Sequence, residues 1–287
     1  MDGPAASEVS PASAEGSTTA RDEPLAAELR AIEKSFYGRP AVSGVSLDIR
    51  RGEVHGLLGE NGAGKSTLCS VLAGLYRTDS GEIYVDGELR SFHSPRDALA
   101  AGVGMVYQHF RLVKTLTVAE NLALAMRSSS MKLSRRQLER GVRALSEKLG
   151  LLVDPAARVS NLSVGEQQRV EILKLLSRGV RVLILDEPTA VLTPQESLAL
   201  FETVRRLAAE GTSIVLVSHK LREVQSACGR ITILRHGHRV AQVESATATP
   251  SELARLMIGR EFVPPSAERS PASPEVGLRV EGLRVVG

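Results

Sequence analysis

The chain has 287 residues, 43% of them hydrophobic and 24% charged, with a formal net charge of +3; this provides for one large globular core, or one and a half ordinary domains. No dense Lys/Arg tract is present, aromatics are 3% and Trp is absent, so no surface for nucleic acid is expected. Cys69 and Cys228 form neither a disulfide framework nor a zinc spacing, and no apolar run approaches the roughly 20 residues needed to cross a bilayer.

Residues 1–24 are rich in Ala, Ser, Pro, Gly and Thr, and carry no apolar stretch. They read as a disordered tail and not as a secretory signal, so a cytosolic chain is expected, any membrane role coming through a partner. Residues 27–36 and 44–49 read as strands around a turn at Tyr37-Gly38-Arg39-Pro40. Val54 to Leu58 is a short buried strand that runs into a Gly-rich loop and then a helix from Thr67 to Leu75. Ile83 to Val85 and Gly104 to Tyr107 are further strands.

Strand signals then vanish over residues 117–178. Ser134 to Leu149 has helical periodicity, with Leu138, Val142, Leu145 and Leu149 on one face, as ordinary helix packing requires. An inserted helical subdomain is expected over about 111–178. Alternation returns afterwards: strands at Val182 to Leu185 and Ser213 to Val217, helices at Pro194 to Ala209 and Leu221 to Ala227. Strands at Ile231 to Leu234 and Val240 to Glu244 and a helix from Pro250 to Ile258 complete the series. Such alternation implies a mostly parallel sheet with helices on both faces. Residues 263–274 read as a Pro/Ser linker. In residues 275–287, Leu278 to Leu283 echo Ala27 to Ile32, and the start of a truncated second copy of the domain is expected there.

Three segments carry chemistry. Gly59-Glu60-Asn61-Gly62-Ala63-Gly64-Lys65-Ser66-Thr67 fits G-x-x-x-x-G-K-[ST] between a strand and a helix. Its glycines let backbone amides wrap a phosphate, Lys65 brings a point charge to the β/γ oxygens, and the Ser66 hydroxyl suits Mg²⁺. Val182-Leu183-Ile184-Leu185-Asp186-Glu187 is an apolar strand ending in two carboxylates. Asp186 can reach the metal through water and Glu187 can act as general base on an attacking water. Asn161-Leu162-Ser163-Val164-Gly165-Glu166-Gln167-Gln168-Arg169 opens a helix, where a hydroxyl and free amides suit an anion; an ordinary N-cap with Glu166 in the first turn gives the same pattern.

Taken together, the chain resembles the ATPases of ABC transporters over residues 25–262. Gly59 to Thr67 resembles Walker A, Gln108 the Q-loop, Ser163 to Gln168 the signature motif, Val182 to Glu187 Walker B with its catalytic Glu, and Ser218-His219 the H-switch. The resemblance implies a P-loop α/β fold with a parallel sheet core, an N-terminal antiparallel β portion and an inserted helical subdomain. It also implies ATP and Mg²⁺ as cofactors, with Glu187, His219 and Gln108 catalytic and with Ser66, Gln108 and Asp186 at the metal. Phe36 would stack on adenine, and Ser163, Val164, Gly165 and Glu166 would act in trans on the nucleotide of a facing domain.

Gln108-His109-Phe110, Thr117 to Asn121, Gln168 to Lys174 and Glu187 to Glu196 resemble the first half of the tandem ATPases of nucleoside and simple-sugar importers, the nucleoside branch most closely. That resemblance implies transmembrane permease subunits, a second ATP-binding domain in cis or by dimerisation, an indirect link to a solute-binding protein, and a peripheral place on the cytoplasmic face of the plasma membrane. A soluble ABC ATPase with no transport role is the alternative; residues 117–178 are too short for the coiled coil such proteins insert. One departure stands out: Thr193 holds the end of the D-loop, where most of the family carries Asp.

Overall fold

The computed structural model describes residues 24–126, 134–259, 279, 281 and 282. The expected tail before Pro24, the Pro/Ser linker and the expected second copy therefore lie outside the described residues, save for Arg279, Glu281 and Gly282.

Two sheets carry the architecture. The first is antiparallel and contains β1 (Leu25–Phe36), β2 (Arg39–Arg50), β4 (Ser80–Val85) and β5 (Glu88–Arg90), in the order β2-β1-β4-β5. The second contains β3 (Val54–Leu58), β6 (Val103–Val106), β7 (Val182–Asp186), β8 (Ser213–Ser218), β9 (Arg230–Arg235) and β10 (His238–Glu244), in the order β10-β9-β3-β8-β7-β6. Its pairings are parallel from β9 to β6, and β10 closes the edge antiparallel to β9. Every residue of β3 and β8 is buried, as expected of central parallel strands covered on both faces.

Side chains on these strands alternate between two cores. Leu57, Ile184, Val215 and Val217 point to one core, shared with α1 (Lys65–Leu72), α2 (Pro95–Ala100) and the antiparallel sheet through Leu29, Ile32 and Ile49. Leu58, Leu183, Leu185, Ile214 and Leu216 point to the other, shared with α5 (Val164–Leu176), α6 (Pro194–Ala209), α7 (Leu221–Ala227) and α8 (Pro250–Ile258). The period of two along each strand sorts its residues onto the two faces.

Between β6 and β7 the described chain is helical: α3 (Val118–Ala125), α4 (Arg135–Lys148) and α5. Reciprocal capping boxes set the start of each of these helices and of α6, through Thr117/Glu120, Ser134/Gln137, Ser163/Glu166 and Thr193/Glu196. In each box the hydroxyl accepts a free amide of the first turn and the acidic or amide side chain reaches back. No described helix is long and apolar enough to cross a membrane.

The boundaries differ from the sequence reading in physically simple ways. Helix α1 starts at Lys65 and not at Thr67, because the loop closes at Gly64 with φ 99° and the next residue is already helical. It stops at Leu72, since Gly74 turns left-handed with φ 71°. β2 runs from Arg39, because a two-residue turn at Tyr37-Gly38 suffices to pair it with β1 from Phe36↔Arg39 onward. The short elements β5, α2 and α3 were not read as separate elements from the sequence: three, six and eight residues give little periodicity.

Candidate active site

The loop after β3 is seated on backbone. A Cβ on Gly59 would lie 2.4 Å from the Leu234 carbonyl oxygen, and one on Gly64 would lie 2.6 Å from that of Ala41. Gly64 also has φ 99°, a region that strains any L side chain, so glycine is required there on two grounds. The seat is completed by Gly237, whose amide donates to Ala63 O at 3.1 Å and whose carbonyl accepts from Ser43 N at 2.8 Å.

Lys65, only 5% exposed, turns its ammonium onto Gly59 O at 2.8 Å and Glu60 O at 2.9 Å. Burial pushes its pKa down, against the pull of Glu187 and Asp186. Next to it the Ser66 hydroxyl donates to Asp186 Oδ1 at 3.2 Å, bringing together residues 120 positions apart. Burial raises the pKa of Asp186, and the Ser66 hydrogen bond opposes that rise.

Glu187 follows β7 with φ 46°, its amide donating to Val217 O at 3.0 Å. Its Oε1 lies 2.8 Å from His219 Nδ1, at the tip of the adjacent strand β8. Gln108 stands just past β6, exposed. A cavity of about 500 Å³ at the C-terminal ends of the parallel strands is lined by Ala41, residues 61–67, Gln108, Asp186 and Glu187. That is where open α/β sheets place their ligands.

The structure thus gathers Asn61, Gly62, Ala63, Gly64, Lys65, Ser66, Thr67, Gln108, Asp186 and Glu187 around one cavity, with His219 joined through Glu187 and the Gly59 and Glu60 carbonyls joined through Lys65. Two expected groups stand elsewhere. Phe36 is half-buried with its ring edge-on to Tyr76, centroids 5.0 Å apart, and is not among the residues lining the cavity. Ser163, Val164, Gly165 and Glu166 open α5 away from the cavity wall, and the Ser163 hydroxyl accepts from Glu166 N at 3.2 Å.

The turn from Ser163 to Glu166 packs against the start of α6. Glu196 accepts from Thr193 N at 3.0 Å, and its carboxylate lies against Gly165, where an added Cβ would sit 2.8 Å from Oε1. Thr193 is the N-cap of α6, its hydroxyl accepting from Glu196 N at 3.3 Å. The arrangement pairs two oxygen donors suited to a hard divalent cation, Ser66 and Asp186, with a cationic amide-rich loop suited to phosphates. Sequence reasoning missed Ala41 in the cavity wall, which stands in no pattern that singles it out; the buried Gln168 and Thr189 lie inside the Asn161–Arg169 and Glu187–Glu196 segments but had been given no role of their own.

The family model described as ABC transporter matches residues 42–190, just over half of the chain. The chain belongs to the ABC transporter family. It is 46% identical over 261 residues to the glucose import ATP-binding protein TsgD13 of Haloferax volcanii, covering 81% of this chain and 48% of that protein. It is 44% identical over 257 residues to the nucleoside import ATP-binding protein NupA of Lactococcus lactis subsp. cremoris, covering 88% of this chain and 50% of that one. The chain therefore spans about half the length of these curated relatives. Its fold matches the crystal structure of a nucleotide-free ATP-binding cassette from an ABC transporter, with TM-score 0.71 and 23% identity over 82% of this chain and 95% of that one.

Proposed function

We propose that this chain binds ATP with Mg²⁺ and hydrolyses it to drive solute uptake through a membrane permease, as a peripheral subunit on the cytoplasmic face. The observation that carries this reading is the convergence of Lys65, Ser66, Asp186, Glu187 and Gln108 on one cavity above the strand ends.

In this reading the loop amides from Asn61 to Thr67 hold the phosphates, and Lys65 exchanges the Gly59 and Glu60 carbonyls for β/γ oxygens. Ser66 and Asp186, with Gln108, hold Mg²⁺, which when bound supplies charge neutralisation at the phosphates. Glu187 takes the proton of the attacking water, and His219 fixes the carboxylate that does so. Phe36 supplies an aromatic face for the base. The second half of the site comes from a facing ATP-binding domain, in cis in a longer protein or by pairing, which presents its equivalents of Ser163, Val164, Gly165 and Glu166. The position of this chain's own signature turn, away from its own cavity, supports that reading.

The solute is a nucleoside or a simple sugar, the nucleoside preferred; relatives named for nucleoside import and glucose import support the class. A solute-binding protein takes part indirectly. The test is ATP-driven uptake into vesicles holding the permease and both ATP-binding domains. Native chain should drive uptake of a nucleoside, and Lys65→Ala should abolish both uptake and turnover. Uptake that continues undiminished with Lys65→Ala contradicts the reading.

A further inference from the structure

The turn that follows Glu187 is held from two further sides. Glu187 itself lies in the left-handed region, which a non-glycine residue keeps only where its surroundings impose it. The next carbonyl, Pro188 O, accepts from the buried Gln168 Nε2 at 3.0 Å, which ties the turn to α5. Thr189, 3% exposed, donates its hydroxyl to Glu223 Oε2 at 2.5 Å, which ties the turn to α7.

Glu223 also reaches the segment that carries His219. Its Oε1 accepts from Lys220 Nζ at 2.9 Å, and its Oε2 faces Ser218 Oγ at 3.4 Å. Lys220 Nζ returns to Thr189 O and Oγ1, each at 3.4 Å, and Lys220 N donates to Ser218 Oγ at 3.0 Å. His219 thus sits between two residues bound to the same carboxylate that anchors Thr189. One side chain closes a ring from the turn of Glu187 to the turn of His219.

We propose that Glu223 is a positioning residue for the Glu187–His219 pair, acting through Thr189. It lies outside the residues lining the cavity and touches no reacting atom. Its hydrogen bond to Thr189 holds the post-strand turn so that Glu187 keeps its left-handed backbone and its carboxylate stays both against His219 and in the cavity wall. This inference rests on the proposed role of Glu187 as base. A carboxylate serving only the first turn of α7 would not depend on the Thr189 hydroxyl, so the Thr189 substitutions separate the two roles.

The experiment measures steady-state ATP hydrolysis of the chain assembled with its partner ATP-binding domain and permease. Thr189→Val keeps the shape and removes the hydroxyl, whereas Thr189→Ser keeps the hydroxyl. Thr189→Val and Glu223→Ala should each lower kcat about 10- to 100-fold, the scale of an ångström-sized misplacement, with KM for ATP within about twofold. Thr189→Ser should retain a near-native kcat, and Thr189→Val should keep the native thermal midpoint. In a Glu187→Gln background, Thr189→Val should cause no further loss, because the group it positions is already gone. Native kcat in Thr189→Val, or a further full-size loss in the Glu187→Gln background, overturns the inference. Native turnover by Glu187→Gln alone sinks the base assignment instead, which distinguishes failure of the underlying reading from failure of this one.

Discussion

The imidazole Nδ1 of His219 lies 2.8 Å from Oε1 of Glu187, linking the tips of two adjacent parallel strands. The register that pairs Asp186 with Val217 places each residue one step beyond its strand and sets the two side chains beside each other. Glu187 lines the cavity and His219 does not. His219→Ala should therefore leave nucleotide binding intact and slow turnover, by about tenfold or more, since a freed carboxylate loses its alignment. Equilibrium binding of ATP and kcat, measured on the same preparation, check this; a rise in Kd with unchanged kcat would contradict it.

The seat of the Gly-rich loop gives a paired prediction. Gly64→Ala sets a Cβ 2.6 Å from Ala41 O at φ 99°, so loop and strand must part. It should cost about 1–3 kcal/mol of stability and eliminate nucleotide binding. Gly141 in α4 has nothing within 4 Å of its added Cβ and an ordinary helical backbone. Gly141→Ala should instead gain roughly 0.5–1 kcal/mol with unchanged binding. Thermal midpoints and ATP titrations of the two variants check both signs.

Acid stability should depend on one ion cluster that joins the antiparallel sheet to the parallel one. Arg230 of β9 donates to Glu53 Oε1 and Oε2, both at 2.9 Å, and to Asp48 Oδ2 of β2 at 2.7 Å. Burial would raise the pKa of Glu53, but the His55 imidazole 3.3 Å away and the Arg230 guanidinium outweigh it and bring it from 4.5 to about 2. Asp48 is lowered too, Arg230 outweighing the effect of burial. A depressed carboxyl pKa contributes stability that is complete above its unfolded value and is lost as pH falls through the folded one. Urea midpoints should thus fall steeply between pH 4.5 and about 2. Arg230→Met should lower the midpoint at neutral pH and flatten that acid slope; an unchanged slope would contradict the assignment.

The parts of this molecule that the sequence disclosed are those with local causes. Gly59 to Thr67 was legible because a phosphate loop needs glycine where backbone meets backbone and a cation where phosphate sits. β3, β7 and β8 were legible because strands buried on both faces carry short, mostly apolar runs. The start of α5 was legible as Ser163-x-x-Glu166, yet that same capping box left its further role open. What stayed hidden depends on contacts between distant residues. Nothing near Glu223 announces Thr189, 34 positions away, and nothing near Arg230 announces Glu53, 177 positions away. The edge-on contact of Phe36 with Tyr76, 40 positions away, was likewise not readable, since the turn before β4 brings that ring into place.

The proposed role of Glu187 as base in the Gly59–Thr67 cavity is tested by single-turnover hydrolysis of bound ATP. Native chain and Glu187→Gln, each assembled with the partner ATP-binding domain and permease, are loaded with ATP and Mg²⁺, and phosphate release is followed over time. Loading should be equal and the rate about 10²- to 10⁴-fold lower for Glu187→Gln, the usual contribution of a positioned general base. Equal loading with a native rate of phosphate release would contradict it.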